Sequence, residues 1–296
     1  MRQKHGQNFL TDLNIANNII KAAHLEKEDI VLEIGPGKGV LTKLIQPQVK
    51  RLTAVEIDQT LFTQLQHYFN FHNINNVELV NADFLKLQTA KLSGSAAQQL
   101  SNDKEKDVKG SVVAVNRAAE LPSCRTSELP FKVISNLPYN VGTAIIQKVL
   151  PLNNWTLCVL MLQKEVAHRI AARPGSKDYG YISVFCSYYA DCEILFDVSP
   201  RCFNPQPKVV STVIKLTNKL SGVPDPLFFE FVKHCFGMRR KTILNSLSSF
   251  AKLDKTAAGQ MLAACNLDPF LRPDKLTLSD FLRLTNEIKK CIILQS

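Results

Sequence analysis

Three short stretches place reactive residue types where chemistry needs them. The first is Glu33-Ile34-Gly35-Pro36-Gly37-Lys38-Gly39, in which an apolar run ends in a glycine-rich turn. Glycines there let the backbone approach a ligand closely, and the free N–H groups of a helix start can donate to it. The second is a pair of acidic residues, Glu56 and Asp83, each closing its own apolar run. An acidic side chain about 20 residues beyond a glycine turn is placed to accept both hydroxyls of a ribose. One at the end of the next strand is placed to meet an adenine amino group. The third is Asn136-Leu137-Pro138-Tyr139. The amino nitrogen of adenine is a poor nucleophile because its lone pair is delocalised into the ring. An Asn side-chain oxygen and the Leu137 carbonyl, accepting its two N–H bonds, favour the pyramidal geometry that frees the lone pair. Pro138 fixes the turn that aims the carbonyl, and the Tyr139 ring can stack on a base.

The elements required to hold these residues are legible in the same stretch. Ile30–Ile34, Leu52–Ile57, Val77–Val80 and Phe131–Ser135 read as β-strands, with helical spacing at Lys38–Gln46 and Leu61–Phe71. Alternation of this kind implies parallel βαβ units, with ligands at the carboxyl ends of the strands. Further strands are expected at Thr156–Met161, Cys192–Asp197 and Val209–Leu216. Helices are expected at Leu227–Phe236, Arg240–Phe250, Thr256–Cys265 and Leu278–Leu294. The punctuation Ser221-Gly222-Val223-Pro224-Asp225-Pro226 suggests a boundary near 220. The fold expected is therefore α/β: a doubly wound, mostly parallel Rossmann-like sheet over residues 1–219, and a small all-helical domain over 220–296. Residues 88–128 carry six basic and five acidic side chains, many Ser, Ala and Gln, and no clear periodicity, so an insertion disordered at least in part is expected there.

Composition narrows the class. The chain has 296 residues, 45% of them hydrophobic, enough to bury a core. Its apolar runs are short, the stretch at 157–162 among the longest, so no membrane span and no secretion are expected and the cytoplasm is the expected location. Eight scattered cysteines include no C-x-x-C pair, and the six histidines no H-x-x-x-H, so no metal is expected. Net charge is +10, and residues 200–296 hold 15 basic against 7 acidic side chains. An excess so placed suits a polyanion such as nucleic acid. Arg239-Arg240-Lys241, expected to open a helix, are the candidate phosphate contacts. A dinucleotide fingerprint has its third glycine one position later than Gly39, which disfavours NAD and leaves the compact turn typical of S-adenosylmethionine-dependent methyltransferases.

The ordered set of motifs resembles the ribosomal RNA small-subunit adenine dimethyltransferases along nearly the whole chain. The matching segments are Lys4–Leu10, Glu33–Gly39, Val55–Asp58, Ala82–Phe84, Asn136–Asn140, Gln163–Arg169, Tyr179–Val184, Phe203–Val209 and Phe236–Thr242. The resemblance implies transfer of methyl groups from S-adenosylmethionine to N6 of two adjacent adenosines near the 3′ end of small-subunit rRNA. It assigns Asn8, Leu10, Gly35, Gly37, Glu56, Asp83 and Asn136 to the cofactor, and makes Tyr139 and Phe203 a sandwich for the target adenine. The implied partners are small-subunit rRNA and the immature small ribosomal subunit, with the enzyme a monomer. Two alternatives stay open: the related erythromycin-resistance methyltransferases of large-subunit rRNA, and a non-catalytic nucleic-acid-binding relative. The 88–128 segment is longer than the family's usual connection.

Overall fold

A computed structural model describes residues 8–87, 130–152, 154–219 and 225–295. The 88–128 segment, Lys4–Gln7 and the Ser221–Pro224 punctuation lie outside the described residues. The chain divides into two compact units, one of residues 1–164 and 193–217, the other of 165–192 and 218–296. The division differs from the expected single boundary near 220, because residues 165–192 group with the C-terminal helices.

The first unit begins with β1 (Phe9–Leu10) and α1 (Leu13–Ala22). Asp12 caps α1 by accepting the Asn14 and Ile15 backbone N–H groups at 2.9 and 3.2 Å. Then follow β2 (Ile30–Ile34), α2 (Val40–Ile45), β3 (Arg51–Glu56), α3 (Gln59–Phe71) and β4 (Val77–Asn81). Next come β5 (Phe131–Asn136), α4 (Gly142–Val149) and β6 (Trp155–Gln163). The sheet is completed by β7 (Ala190–Val198), which crosses from the second unit into the first, and by β9 (Ser211–Asn218), while β8 (Phe203–Asn204) pairs antiparallel with β1 in a separate two-stranded ladder. Strand order in the seven-stranded sheet is β4-β3-β2-β5-β6-β9-β7. The β2, β3, β4, β5 and β6 neighbours are parallel, and β9 runs antiparallel to β6.

The central strands are buried on both faces, so they carry continuous apolar runs instead of an alternating pattern. Val31, Leu52, Ala54, Leu79, Ile134 and Val159 form a core with Ile19, Ile45 and Phe69 from the helices. Order reverses at β2, with β3 on one side and β5 on the other, and this switch point opens the crevice in which α/β sheets take ligands.

The second unit contains α5 (Lys164–Ile170), whose first residue belongs to the first unit, and α6 (Tyr181–Tyr189). It continues with α7 (Pro226–Gly237), α8 (Ile243–Ala251), α9 (Lys255–Ala264) and α10 (Leu278–Gln295). Phe228, Phe231, Val232, Ile243, Leu247, Leu262, Phe281 and Leu284 make its core. Residues 238–241 form the turn between α7 and α8, which corrects the expected helix start at Arg240: Thr242 is the N-cap, its hydroxyl accepting the Asn245 N–H. Among the described residues no helix is long and apolar enough to cross a membrane.

Candidate active site

At the carboxyl ends of β2 to β5, one cavity is lined by the β1 strand, the glycine turn and the segments that follow β3, β4 and β5. The turn from Gly35 to Gly39 reverses the chain into α2 with positive φ at all three glycines: 72°, 59° and 77°. A side chain at Gly39 would be strained by its backbone, and its Cβ would lie 2.5 Å from Leu65 on α3. Gly37 carries the other constraint, since a Cβ there would stand 3.1 Å from the Phe9 ring. The glycines thus let β1 and α3 close against the turn.

Glu56 is the anchor of the site. It is buried, one carboxylate oxygen accepts the Gly37 N–H at 2.9 Å, and the other accepts the Asp58 N–H at the same distance. Burial raises its pKa, and these two backbone bonds oppose the rise. Each oxygen retains a lone pair for a further donor, so two adjacent hydroxyls can be accepted by a carboxylate whose orientation is already fixed. Asp83, after β4, accepts the Leu85 N–H at 3.0 Å. Beside the two acids stand Ile57 and Leu85, which also line the cavity and are 49% and 36% exposed. Open apolar side chains in the same lining as polar acceptors suit a flat heterocycle with polar edges.

Glu33 faces the same cavity from β2. It is completely buried, its Oε2 has no hydrogen-bond partner, and burial pushes its pKa up to about 8, with the Thr42 hydroxyl opposing and the Glu56 charge adding to the rise. At neutral pH this carboxyl is therefore held mainly in its protonated, neutral form.

Asn136 ends β5. Its side-chain nitrogen donates to the Asn8 carbonyl at 3.4 Å, which directs the amide and leaves Oδ1 as the acceptor. Leu137 donates its N–H to the Met161 carbonyl at 3.1 Å, and the Val141 and Gly142 N–H groups close onto the Pro138 carbonyl. The Asn136–Tyr139 segment is thereby held to β6 on one side and to α4 on the other. The Tyr139 hydroxyl shares a 2.6 Å hydrogen bond with Ser211 on β9, and burial raises its pKa, so at neutral pH it is a phenol and its contribution to the cavity is its ring.

The structure gathers Asn8, Leu10, Gly35, Gly37, Glu56, Asp83, Asn136, Leu137, Pro138 and Tyr139 around this cavity. Phe203 is not among the lining residues: its side chain is 3% exposed and packed in the core, and its backbone pairs with Leu10 in the β1–β8 ladder. Of the expected aromatic pair, Tyr139 lines the cavity and Phe203 packs in the same core cluster as Leu10 of β1. Ile57, Leu85, Ile145 and Ser211 were not singled out by sequence, since single apolar or hydroxyl residues carry no spacing signal. Arg239, Arg240 and Lys241 are exposed in the second unit, and Arg239 donates to the Lys177 carbonyl at 2.8 Å.

Comparison with known proteins shows the family of the chain. Residues 1–290 match the sequence model of the family described as ribosomal RNA adenine dimethylase. The ribosomal RNA small subunit methyltransferase A of Alkaliphilus oremlandii is 41% identical over 294 aligned residues, covering 96% of this chain and 91% of the relative. That of Alkaliphilus metalliredigens is 40% identical, covering 96% and 90%. Among solved structures, a dimethyladenosine transferase from Plasmodium falciparum superposes with a TM-score of 0.72 at 24% identity, covering 95% of this chain and 98% of the other. The 23S rRNA methyltransferase ErmE superposes at 0.64 and 24%, covering 95% and 100%; at that identity both establish the fold alone. With a family match over nearly its whole length and relatives at 40 and 41% identity, the chain belongs to the ribosomal RNA adenine dimethylases.

Proposed function

We propose that the chain transfers methyl groups from S-adenosylmethionine to N6 of two adjacent adenosines near the 3′ end of small-subunit rRNA, and that the cavity beside β2 is where it does so. The observation that carries this reading is the convergence, in one cavity, of a preoriented Glu56, the apolar Ile57 and Leu85 together with Asp83, and an Asn136 amide with its oxygen left to accept.

The residues present fit the cofactor. Glu56 accepts its ribose hydroxyls, Ile57 and Leu85 flank its adenine ring with Asp83 at the amino edge, and the glycine turn with Asn8 and Leu10 encloses its amino-acid end. When bound, S-adenosylmethionine supplies a methyl group on a sulfonium, which departs as a neutral thioether.

The protein's part is positioning. Asn136 Oδ1 and the Leu137 carbonyl accept the two N–H bonds of the target amine and turn its lone pair toward the methyl carbon. Pro138 holds that carbonyl in place, and the Tyr139 ring stacks on the target base, aligned by Ser211. The base has to leave its stack to reach this pocket, at a cost of a few kcal/mol that is smaller in an RNA loop. In-line transfer between oriented reactants needs no covalent enzyme intermediate, and the proton released by the methylated amine passes to water. Outside the cavity, Arg240 and Lys241 contact rRNA phosphates.

The test is to incubate the protein with methyl-labelled cofactor and small ribosomal subunits lacking the modification, then map the label. Two neighbouring adenosines near the 3′ end, each carrying two labelled methyls, is the expected result. Label in large-subunit rRNA, or none, would overturn the reading.

A further inference from the structure

Lys148, on the last turn of α4, is spent on a single loop. Its ammonium donates to the Phe84, Leu85 and Leu87 carbonyls at 2.7, 2.8 and 2.5 Å. A lysine has three N–H donors, so one loop takes all of them. The loop is a single helical turn that begins at Asp83, whose backbone carbonyl accepts the Lys86 and Leu87 N–H groups at 2.9 and 3.2 Å. Such a turn leaves carbonyls without partners at its C-terminal end, where a cation is favoured by the aligned dipoles as well as by the hydrogen bonds. The ammonium also lies 5.3 Å from the centre of the Phe84 ring.

The consequence reaches the cavity in two steps. Leu85 accepts from Lys148 through its carbonyl and donates its own N–H to Asp83 Oδ1. The Asp83 carboxylate is thus oriented by a residue that Lys148 holds, and Phe84 and Leu85, gripped by the same ammonium, line the cavity beside it. Ile145, three residues before Lys148 on α4, also lines the cavity, and α4 is the helix that follows the Asn136–Tyr139 segment. Burial lowers the Lys148 pKa and the Asp83 charge opposes the fall, the pattern of a cation withdrawn from water beside its counter-charge.

We infer that Lys148 is a positioning residue for cofactor recognition: by capping the turn after β4 it holds Asp83, Phe84 and Leu85 in the geometry that receives the adenine ring. It touches no reacting atom. The inference rests on the proposed placement of the cofactor's adenine at Asp83.

Lys148→Met keeps the apolar stem and removes the donors, and Lys148→Arg restores a charged donor. By calorimetry Lys148→Met should bind S-adenosylmethionine about tenfold more weakly than wild type, and Lys148→Arg within threefold of it. Methyl transfer to unmodified small subunits at saturating cofactor should stay within twofold for both, so that the effect appears in KM for the cofactor and not in kcat. Asp83→Asn should cost less affinity in the Lys148→Met background than in wild type, because the variant has already released the carboxylate. Wild-type affinity in a folded Lys148→Met protein, additive losses in the double variant, or an equal fall in kcat would each overturn the inference. If Lys148→Met does not fold, Lys148→Gln, which keeps two donors, serves instead and should show a smaller loss of the same kind. Failure of the wild-type protein itself to bind S-adenosylmethionine would sink the functional reading; normal wild-type binding with an unaffected variant sinks only the role of Lys148.

Discussion

Two buried carboxyls on the adjacent strands β2 and β3 do different work. Glu56 has both oxygens occupied by backbone N–H groups and is built to be an acceptor, whereas Glu33 has an oxygen with no partner. Removing the first should weaken cofactor binding: Glu56→Ala is expected to lose roughly 1.5–3 kcal/mol of S-adenosylmethionine affinity, the range for hydrogen bonds to a charged group, and calorimetry within twofold of wild type would contradict its role. The second should set a pH dependence of stability. Below about pH 4.5 the Glu33 carboxyl is protonated in both folded and unfolded chains; between there and its folded value of about 8 only the unfolded chain releases the proton. The stability tied to Glu33 is therefore present at low pH and lost as pH rises through that window. Glu33→Gln stays neutral throughout, so in the absence of cofactor it should be more stable than wild type at pH 8 by at least about 1 kcal/mol, one pKa unit being worth 1.36 kcal/mol. Parallel thermal-melting curves of the two proteins from pH 5 to 8 would contradict this. Sequence made Glu56, Asp83 and Asn136 legible because each ends a strand at a spacing that has a mechanism. It could not expose Ser211, whose importance lies in one hydrogen bond to a tyrosine 72 residues away.

Elements were legible where a strong period or an unbroken apolar run marked them. The strand expected at Ile30–Ile34 has those same limits in the structure, and the one at Val77–Val80 differs by a single residue. The β1–β8 ladder was not legible: two residues per strand, paired across more than 190 positions, leave no pattern to read. That ladder pairs Phe203 with Leu10, a lining residue of the cavity, and the two side chains share one core cluster. The helices α1, α4 and α6 also went unassigned, short amphipathic runs being hidden between stronger signals. At this scale the glycine turn is the most constrained feature. Gly39→Ala combines a left-handed backbone with a Cβ driven into Leu65, and these together should cost about 2–4 kcal/mol. A melting temperature within a degree or two of wild type would show that α3 yields easily to the new methyl group.

At the scale of the whole molecule, the cavity is built from the first unit, and the second unit, residues 165–192 and 218–296, holds 15 basic against 10 acidic side chains, half of the net +10. The linkage of Arg239 to the Lys177 carbonyl gives that arginine a structural task, which leaves Arg240 and Lys241 as the cleaner probes of phosphate contact. Replacing both with Ala should lower the slope of log affinity for small subunits against log salt by about 0.7–0.9 per lost contact, with cofactor affinity unchanged. An unaltered slope would return both residues to an ordinary solvated surface. The cation excess was plain from composition, but composition could not divide the chain, because the second unit takes residues 165–192 from between strands of the first.

The most direct test of the site is Asn136→Ala assayed by single turnover on unmodified small subunits at saturating cofactor. Its amide is proposed to hold the reacting amine, so the expected result is a fall in the methyl-transfer rate of about 100-fold, with S-adenosylmethionine affinity reduced by no more than a few-fold. A variant that transfers methyl groups at the wild-type rate would contradict the assignment of this cavity as the place where adenine is methylated.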